Sequence, residues 1–301
     1  MFEFARTVPL SLTAGVLICG MTTAATTAPQ PTVNVAVGPQ YDSTHVYVAP
    51  ADLDSFVASF IATFGGHASK PVVSTVTPTA SSTQFQSVMT PVGSLSTFAY
   101  TTPIPHPFGL ERTGYLVTDM NQAIAAARAA GASILVEPFK DPIGMDAVVE
   151  WPGGLKMQLY WHFVPPSHEP LRAVPENRVY IAPDRIDNFT NAFIRFSRGK
   201  VVSDDWHANG AELGEPGQTF RRIRVESNFG KMQIMATDGH LPYPFGHDIS
   251  GYEVSDLAET LAKARSHGAT VLVEPVEITD RRTAVVQFPG GFIAEIHSAR
   301  P

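Results

Sequence analysis

The sequence predicts an α+β fold of four βαβββ units, paired into two tandem domains. Three observations predict it. The chain is an internal duplication: Pro105–Gly109 (PHPFG) recurs as Pro242–Gly246 (PYPFG), an offset of 137 residues. That offset holds without a gap, and over 105–154 it gives 23 identities in 50 positions. Each copy also alternates strand-like and helix-like runs in the same order, twice over. Finally, a Pro-Gly-Gly turn precedes the last strand of both copies, at Pro152–Gly154 and Pro289–Gly291.

The elements follow in order. Val46–Val48 is a β-branched and aromatic strand. Pro50 and Asp52 open a helix with Phe56, Phe60 and Ile61 on its apolar face, and Gly65-Gly66 ends it. Strands follow near 71–76, 83–89 and 94–100. The next unit repeats this with a strand at Tyr115–Val117 and an Ala-rich helix over Met120–Ala130, stopped by Gly131. Strands at 134–137, 147–150 and 156–161 complete it. In the second copy, Val179–Pro183 matches Val46–Pro50 at an offset of 133, and Leu257, Leu261 and Ala264 mark a buried helix face. The repeats place the domains at 41–165 and 173–301, with 166–172 as linker and 29–40 as an extended lead-in.

The N-terminus reads as an export signal over 1–28. Its apolar stretch, Thr7–Met21, precedes the small residues Thr22–Ala28 and is too short for a stable membrane span. Cys19 is the only cysteine, and a lipoprotein signal at Cys19 is the alternative. Removal after it leaves no cysteine for a disulfide, a thiolate metal ligand or a nucleophile. Lys+Arg 21 against Asp+Glu 28 gives a net charge of −7. With no basic cluster, nucleic acid is not the expected partner. A small-molecule ligand is. The sequence has no Gly-x-Ser-x-Gly elbow, P-loop or His-Glu-x-x-His helix. Trp206, His207, Asp238 and His240 are expected in loops, and loops can carry binding residues.

Paired βαβββ units, with the strand-to-helix turns His45–Asp52, Gly114–Asp119 and Gly251–Asp256 and the Pro-Gly-Gly turns, resemble the vicinal oxygen chelate superfamily. It includes glyoxalase I, bleomycin-resistance proteins and extradiol dioxygenases. The resemblance covers about 40–300. It implies two tandem glyoxalase-like domains, each an open β-cup that receives a small molecule. In that family the cup holds a divalent metal (Zn, Ni, Mn or Fe) on His, His and Glu, the first two each lying seven residues before a helix-opening Asp. Carried onto this chain, the positions are His45, Arg112 and Gln158 in copy one, and Arg178, Ile249 and Glu295 in copy two. Neither copy has the full set.

Strand alternation offers His247 and His297 as neighbours of Glu295 on one face, a further candidate metal site. Glu295 reads equally well as a partner of Arg178 inside the same cup. Arg112 and Arg178, at former ligand positions, could clamp an anion with no metal at all. The implied function is an exported small-molecule-binding protein with degenerate metal sites and no cofactor. The alternatives are a metal-dependent glyoxalase-type lyase or isomerase, an extradiol-type dioxygenase, and a periplasmic scaffold.

Overall fold

Residues 33–243 and 247–300 are described by a computed structural model of the chain. The predicted export segment, Cys19 with it, and Pro244–Gly246 of the second turn lie outside the described residues. Among the described residues no helix is long and apolar enough to cross a membrane.

In copy one the first unit is β1 (Ser43–Tyr47), α1 (Leu53–Phe64), β2 (His67–Ala68), β3 (Val72–Ser74), β4 (Thr83–Thr90) and β5 (Gly93–Tyr100). The second is β6 (Thr113–Leu116), α2 (Met120–Ala130), β7 (Ser133–Lys140), β8 (Gly144–Glu150) and β9 (Lys156–His162). Both β2 and β3 pair with β4. Pro71 falls between them, and a residue with no N–H interrupts a ladder.

Copy two runs β10 (Glu176–Ile181), α3 (Ile186–Ser197), β11 (Lys200–Asn209), β12 (Thr219–Ser227) and β13 (Gly230–Ala236), then β14 (Asp248–Glu253), α4 (Leu257–Ser266), β15 (Thr270–Glu277), β16 (Arg281–Gln287) and β17 (Ile293–Ala299). Trp206 and His207, expected in a loop, lie within β11. The ladder there has a register shift between Asp205 and Ala208, which hides the alternation a strand normally shows.

Each copy forms one curled sheet. The orders are β2-β4-β5-β1-β6-β9-β8-β7 and β11-β12-β13-β10-β14-β17-β16-β15. At the centre β1 pairs antiparallel with β6, and β10 with β14. Parallel partners flank them: β5 and β9 in the first sheet, β13 and β17 in the second.

Local chemistry explains the helices. Asp119 and Asp256 are N-caps, accepting from Gln122 N at 2.8 Å and Glu259 N at 2.9 Å. Gly131 ends α2 with φ 101°, a left-handed conformation that costs a glycine nothing.

The two sheets pack through their convex sides, with the helices between. Helix α1 meets α4, and α2 meets α3. Phe60 lies 5.1 Å from Phe288 and 5.5 Å from Tyr252, ring centre to ring centre, while Trp151 lies 5.0 Å from Phe196. Each main core cluster therefore draws on both copies. Arg195 of α3 donates to Ala130 O at 2.7 Å, satisfying a carbonyl at the end of α2. Burying side chains of this size at the seam stabilises by about 3–5 kcal/mol per Phe against Ala. The concave faces of both sheets consequently point away from the shared core.

Candidate functional site

The concave face is set by alternation. On β1, Thr44 and Val46 point to the shared core, so Ser43, His45 and Tyr47 line the cup. On β10 the same rule puts Glu176, Arg178 and Tyr180 in the second cup. The registers match: His45 sits opposite Ser96 of β5, and Arg178 opposite Gln233 of β13.

The first cup is open. It holds a cavity of about 360 Å³. One wall is aromatic: Phe98 stacks on Tyr47 at 5.1 Å, with Phe85 5.5 Å from Phe98 and Tyr100 6.3 Å from Tyr47. Ser43, Ser94 and Ser96 continue that wall along β1 and β5, and Asp146, Gln158 and His162 line the cavity from β8 and β9. Ser43 Oγ donates to Ser96 Oγ at 2.9 Å. His45 is 2% exposed, its ring edge-on to Phe98 at 5.4 Å. A Cβ on Gly114 would come within 2.5 Å of His45 Nε2, so glycine there is what admits the imidazole.

Three buried polar atoms on this wall have no hydrogen-bond partner: His45 Nδ1, Ser94 Oγ and Tyr100 Oη. Buried polar atoms are normally paired. Behind the wall lies Glu111, which is fully buried, accepts from Tyr47 Oη and stands 3.9 Å from His45 Nδ1. Burial above all, and then Glu111, pushes the Tyr47 phenol well up. Burial, with Asp141 adding to it, raises the Asp146 carboxyl well above the usual range, against a hydrogen bond from Gln158. Burial lowers His162.

In the second cup the described residues pair and pack among themselves. Arg178 is fully buried, with Nη1 3.4 Å from Glu295 Oε1 and Nη2 3.8 Å from Glu212 Oε2. Glu212 comes from a short 3-10 helix, Gly210–Leu213, and accepts from Arg222 at 2.5 Å. Glu295 also accepts from Thr283 Oγ1 and, at 2.8 Å, from His297 Nδ1. Burial opposes ionisation of Glu295, but His297 and Arg178 beside it hold its carboxyl at about 2. Burial raises Glu212, with Arg178 and Arg222 acting against it. Farther along the strand, Gln233 and Arg281 each donate to Glu176 at 2.6 Å. Thus Arg178, Arg222 and Arg281 face Glu176, Glu212 and Glu295, one cation to each anion. Beside them Tyr180, Leu213, Met235, Tyr243, Ile249, Val273, Val285 and Ile293 pack as one apolar cluster.

The candidate residues from the sequence therefore fall as follows. His45 and Gln158 line one cavity. Arg112 does not line it; its guanidinium donates to Gly109 O at 2.7 Å and lies 5.2 Å over the Tyr47 ring. Arg178, Glu295 and His297 meet in the second cup, as the alternation implies. His247 does not join them. It precedes β14, is exposed, and lies against Gly154 of copy one. The strand starts one residue after it, so alternation does not reach it. Among the described residues, no three His, Cys, Asp or Glu side chains are grouped so that they could hold a metal ion. Sequence reasoning missed Asp146, Ser94, Tyr100, Glu111 and Glu212. An acid in the run Asp146-Ala-Val-Val and the alternating Ser94-Leu-Ser96 were the available signals. Glu212 left none, because the 3-10 helix reaches the cup only through the fold.

No family model matches the sequence, and neither does any curated protein. Solved structures do. A triple mutant of 4-hydroxymandelate synthase from Streptomyces coelicolor superposes with a TM-score of 0.60 at 14% identity, over 90% of this chain and 93% of that one. A xylose isomerase-like TIM barrel/4-hydroxyphenylpyruvate dioxygenase fusion protein gives 0.55 at 12% identity, over 90% of this chain and 50% of that one. The chain spans about half the length of that fusion protein. The chain therefore shares the tandem two-domain fold of these solved structures, two curled sheets each built from a pair of βαβββ units.

Proposed function

We propose that the protein is an exported small-molecule-binding protein whose first cup takes the ligand, and whose second cup is a closed structural counterpart. The cavity of about 360 Å³, walled by aromatic rings and carrying three unpartnered buried polar atoms, is the observation that carries this reading. Its volume suits a small organic molecule, and convergent polar groups in an apolar cleft are what fix a ligand's orientation. Export rests on the 1–28 segment.

The donors support no metal step. A shell of about three ligands is needed. In the second cup Arg178 faces Glu295 as a fixed cation, and both oxygens of Glu295 already accept hydrogen bonds. In the first cup Gln158 is a neutral amide beside His45. The test is ligand-detected NMR with a library of small aromatics, on the native chain and on Ser87→Trp, which fills the cavity. Binding that Ser87→Trp abolishes is expected. Equal binding by the variant would sink the reading.

A second reading, a metal-dependent enzyme of dioxygenase or lyase type, draws on the names of the solved structures. Metal content of protein purified without chelator or metal resin decides it, beside His45→Ala and Glu295→Ala. Near-stoichiometric metal, lost in one variant, would replace the binding reading with the enzymatic one.

A further inference from the structure

The charge lining the first cup selects among ligands. Among the described residues, no Lys or Arg lines the cavity, whereas Asp141 and Asp146 both do. Asp146 is 6% exposed and lies inside the cup on β8; Asp141 stands at its mouth, in the turn from β7. Glu111 adds a third carboxyl behind the wall. The cation nearest by sequence, Arg112, is engaged by Gly109 O and the Tyr47 ring. The other candidate anion clamp, Arg178, is closed in by Glu295 and Glu212 in the other cup.

The opposite wall points the same way. Tyr47, Phe98, Phe85 and Tyr100 form a contiguous aromatic surface. Aromatic faces carry a negative quadrupole, which attracts cations and disfavours anions. An apolar ring packed there leaves its polar end among Ser43, Ser94, Ser96, Asp146 and His45. Of these, Ser94 Oγ and His45 Nδ1 lack partners. A group with several N–H donors fits both the hydroxyl acceptors and the carboxyl.

We propose that the first cup binds small aromatic amines as cations, with the ring against Tyr47 and Phe98 and the ammonium toward Asp146. This rests on the reading of the first cup as the binding cup. Arg112 and Arg178 then play no part in ligand charge recognition.

Isothermal titration of the mature chain tests it with three probes of equal size: phenethylamine, phenethyl alcohol and phenylacetate. An ammonium brought beside the Asp146 carboxyl favours its ionised form and makes a charge-assisted hydrogen bond with it, so the amine is expected to bind about tenfold more tightly than the alcohol. Phenylacetate is expected to bind weakest. Asp146→Asn should erase the preference for the amine over the alcohol. Should that variant melt early, Asp141→Asn at the mouth gives the second reading, with a loss of about two- to threefold for the amine alone, as for a partly screened charge. Phenylacetate binding as tightly as the amine, an unchanged preference in both variants, or no binding by any probe would overturn the proposal. If alcohol or acid bind best and Ser87→Trp abolishes them, the ligand class is wrong but the binding cup stands. If the probes bind Ser87→Trp as well as the native chain, the cup itself is wrong.

Discussion

The two cups share a backbone and differ in what fills it. Ser43 and Ser96 of the first cup stand where the second carries Glu176 and Gln233, and each pair is joined by a hydrogen bond, at 2.9 Å and 2.6 Å respectively. His45 is replaced by Arg178, and Gln158 by Glu295. The carboxyl even changes strand: Asp146 on β8 meets Gln158 on β9, while Thr283 on β16 meets Glu295 on β17. Gly114 and Gly251 are kept, but the first makes room for His45 and the second for Glu295, each 2.5 Å from where a Cβ would lie. Small side chains leave a cavity in one copy. Long charged ones, paired among themselves, occupy the other. The same backbone thus carries a cavity in one copy and a self-neutralising charged network in the other.

The sharpest way to break this comparison is to remove one anion of the closed cup. Glu295→Ala removes the nearer of the two carboxylates beside the buried Arg178 and leaves Glu212 at 3.8 Å, and breaking a buried ion pair by removing one partner costs about 3–5 kcal/mol. His45→Ala in the open cup removes a ring whose Nδ1 makes no hydrogen bond, so its cost is expected to be about 1–2 kcal/mol of packing. Urea midpoints of both variants check the contrast. Equal losses would mean that the second cup is not held by its charges.

A second test concerns the seam. Asp248 accepts from Thr113 at 3.0 Å, and burial pushes its carboxyl up from 3.8 to about 7. The folded state therefore keeps a proton that the unfolded chain has already released. Its contribution to stability is complete below 3.8 and is lost as pH rises toward about 7. At about 1.4 kcal/mol per pKa unit, the loss amounts to up to about 4 kcal/mol. Asp248→Asn should flatten that slope in denaturation curves taken across this window. An unchanged slope would place the titrating group elsewhere.

Smaller effects sharpen the comparison where the copies agree. Asp119→Ala and Asp256→Ala each remove one cap hydrogen bond and should each cost about 1 kcal/mol. Thermal melts giving unequal losses would show that the two second units differ in more than their cups. Smallest is Arg112→Met, which gives up a cation contact over Tyr47 worth about 0.5–1 kcal/mol. A change in ligand affinity in this variant would return Arg112 to the site.

The sequence by itself determined much of this protein. The offset of 137 residues placed β6 to β9 on β14 to β17, and hydrophobic periodicity placed the helices, with Met120–Ala130 found as predicted. These are local signals: caps, turns and alternation act within a few residues. The pairing of Glu295 with Arg178 was also legible, because both positions follow from the repeat. Only the tertiary structure decided how the two cups are lined. That depends on sheet register, which set Ser96 beside His45 but Gln233 beside Arg178. It also depends on the 3-10 helix that brings Glu212 over the second cup, and on β14 starting too late to carry His247 inward. Each of these is a contact between segments far apart in the chain, and no local pattern of residue types encodes a distance of that kind.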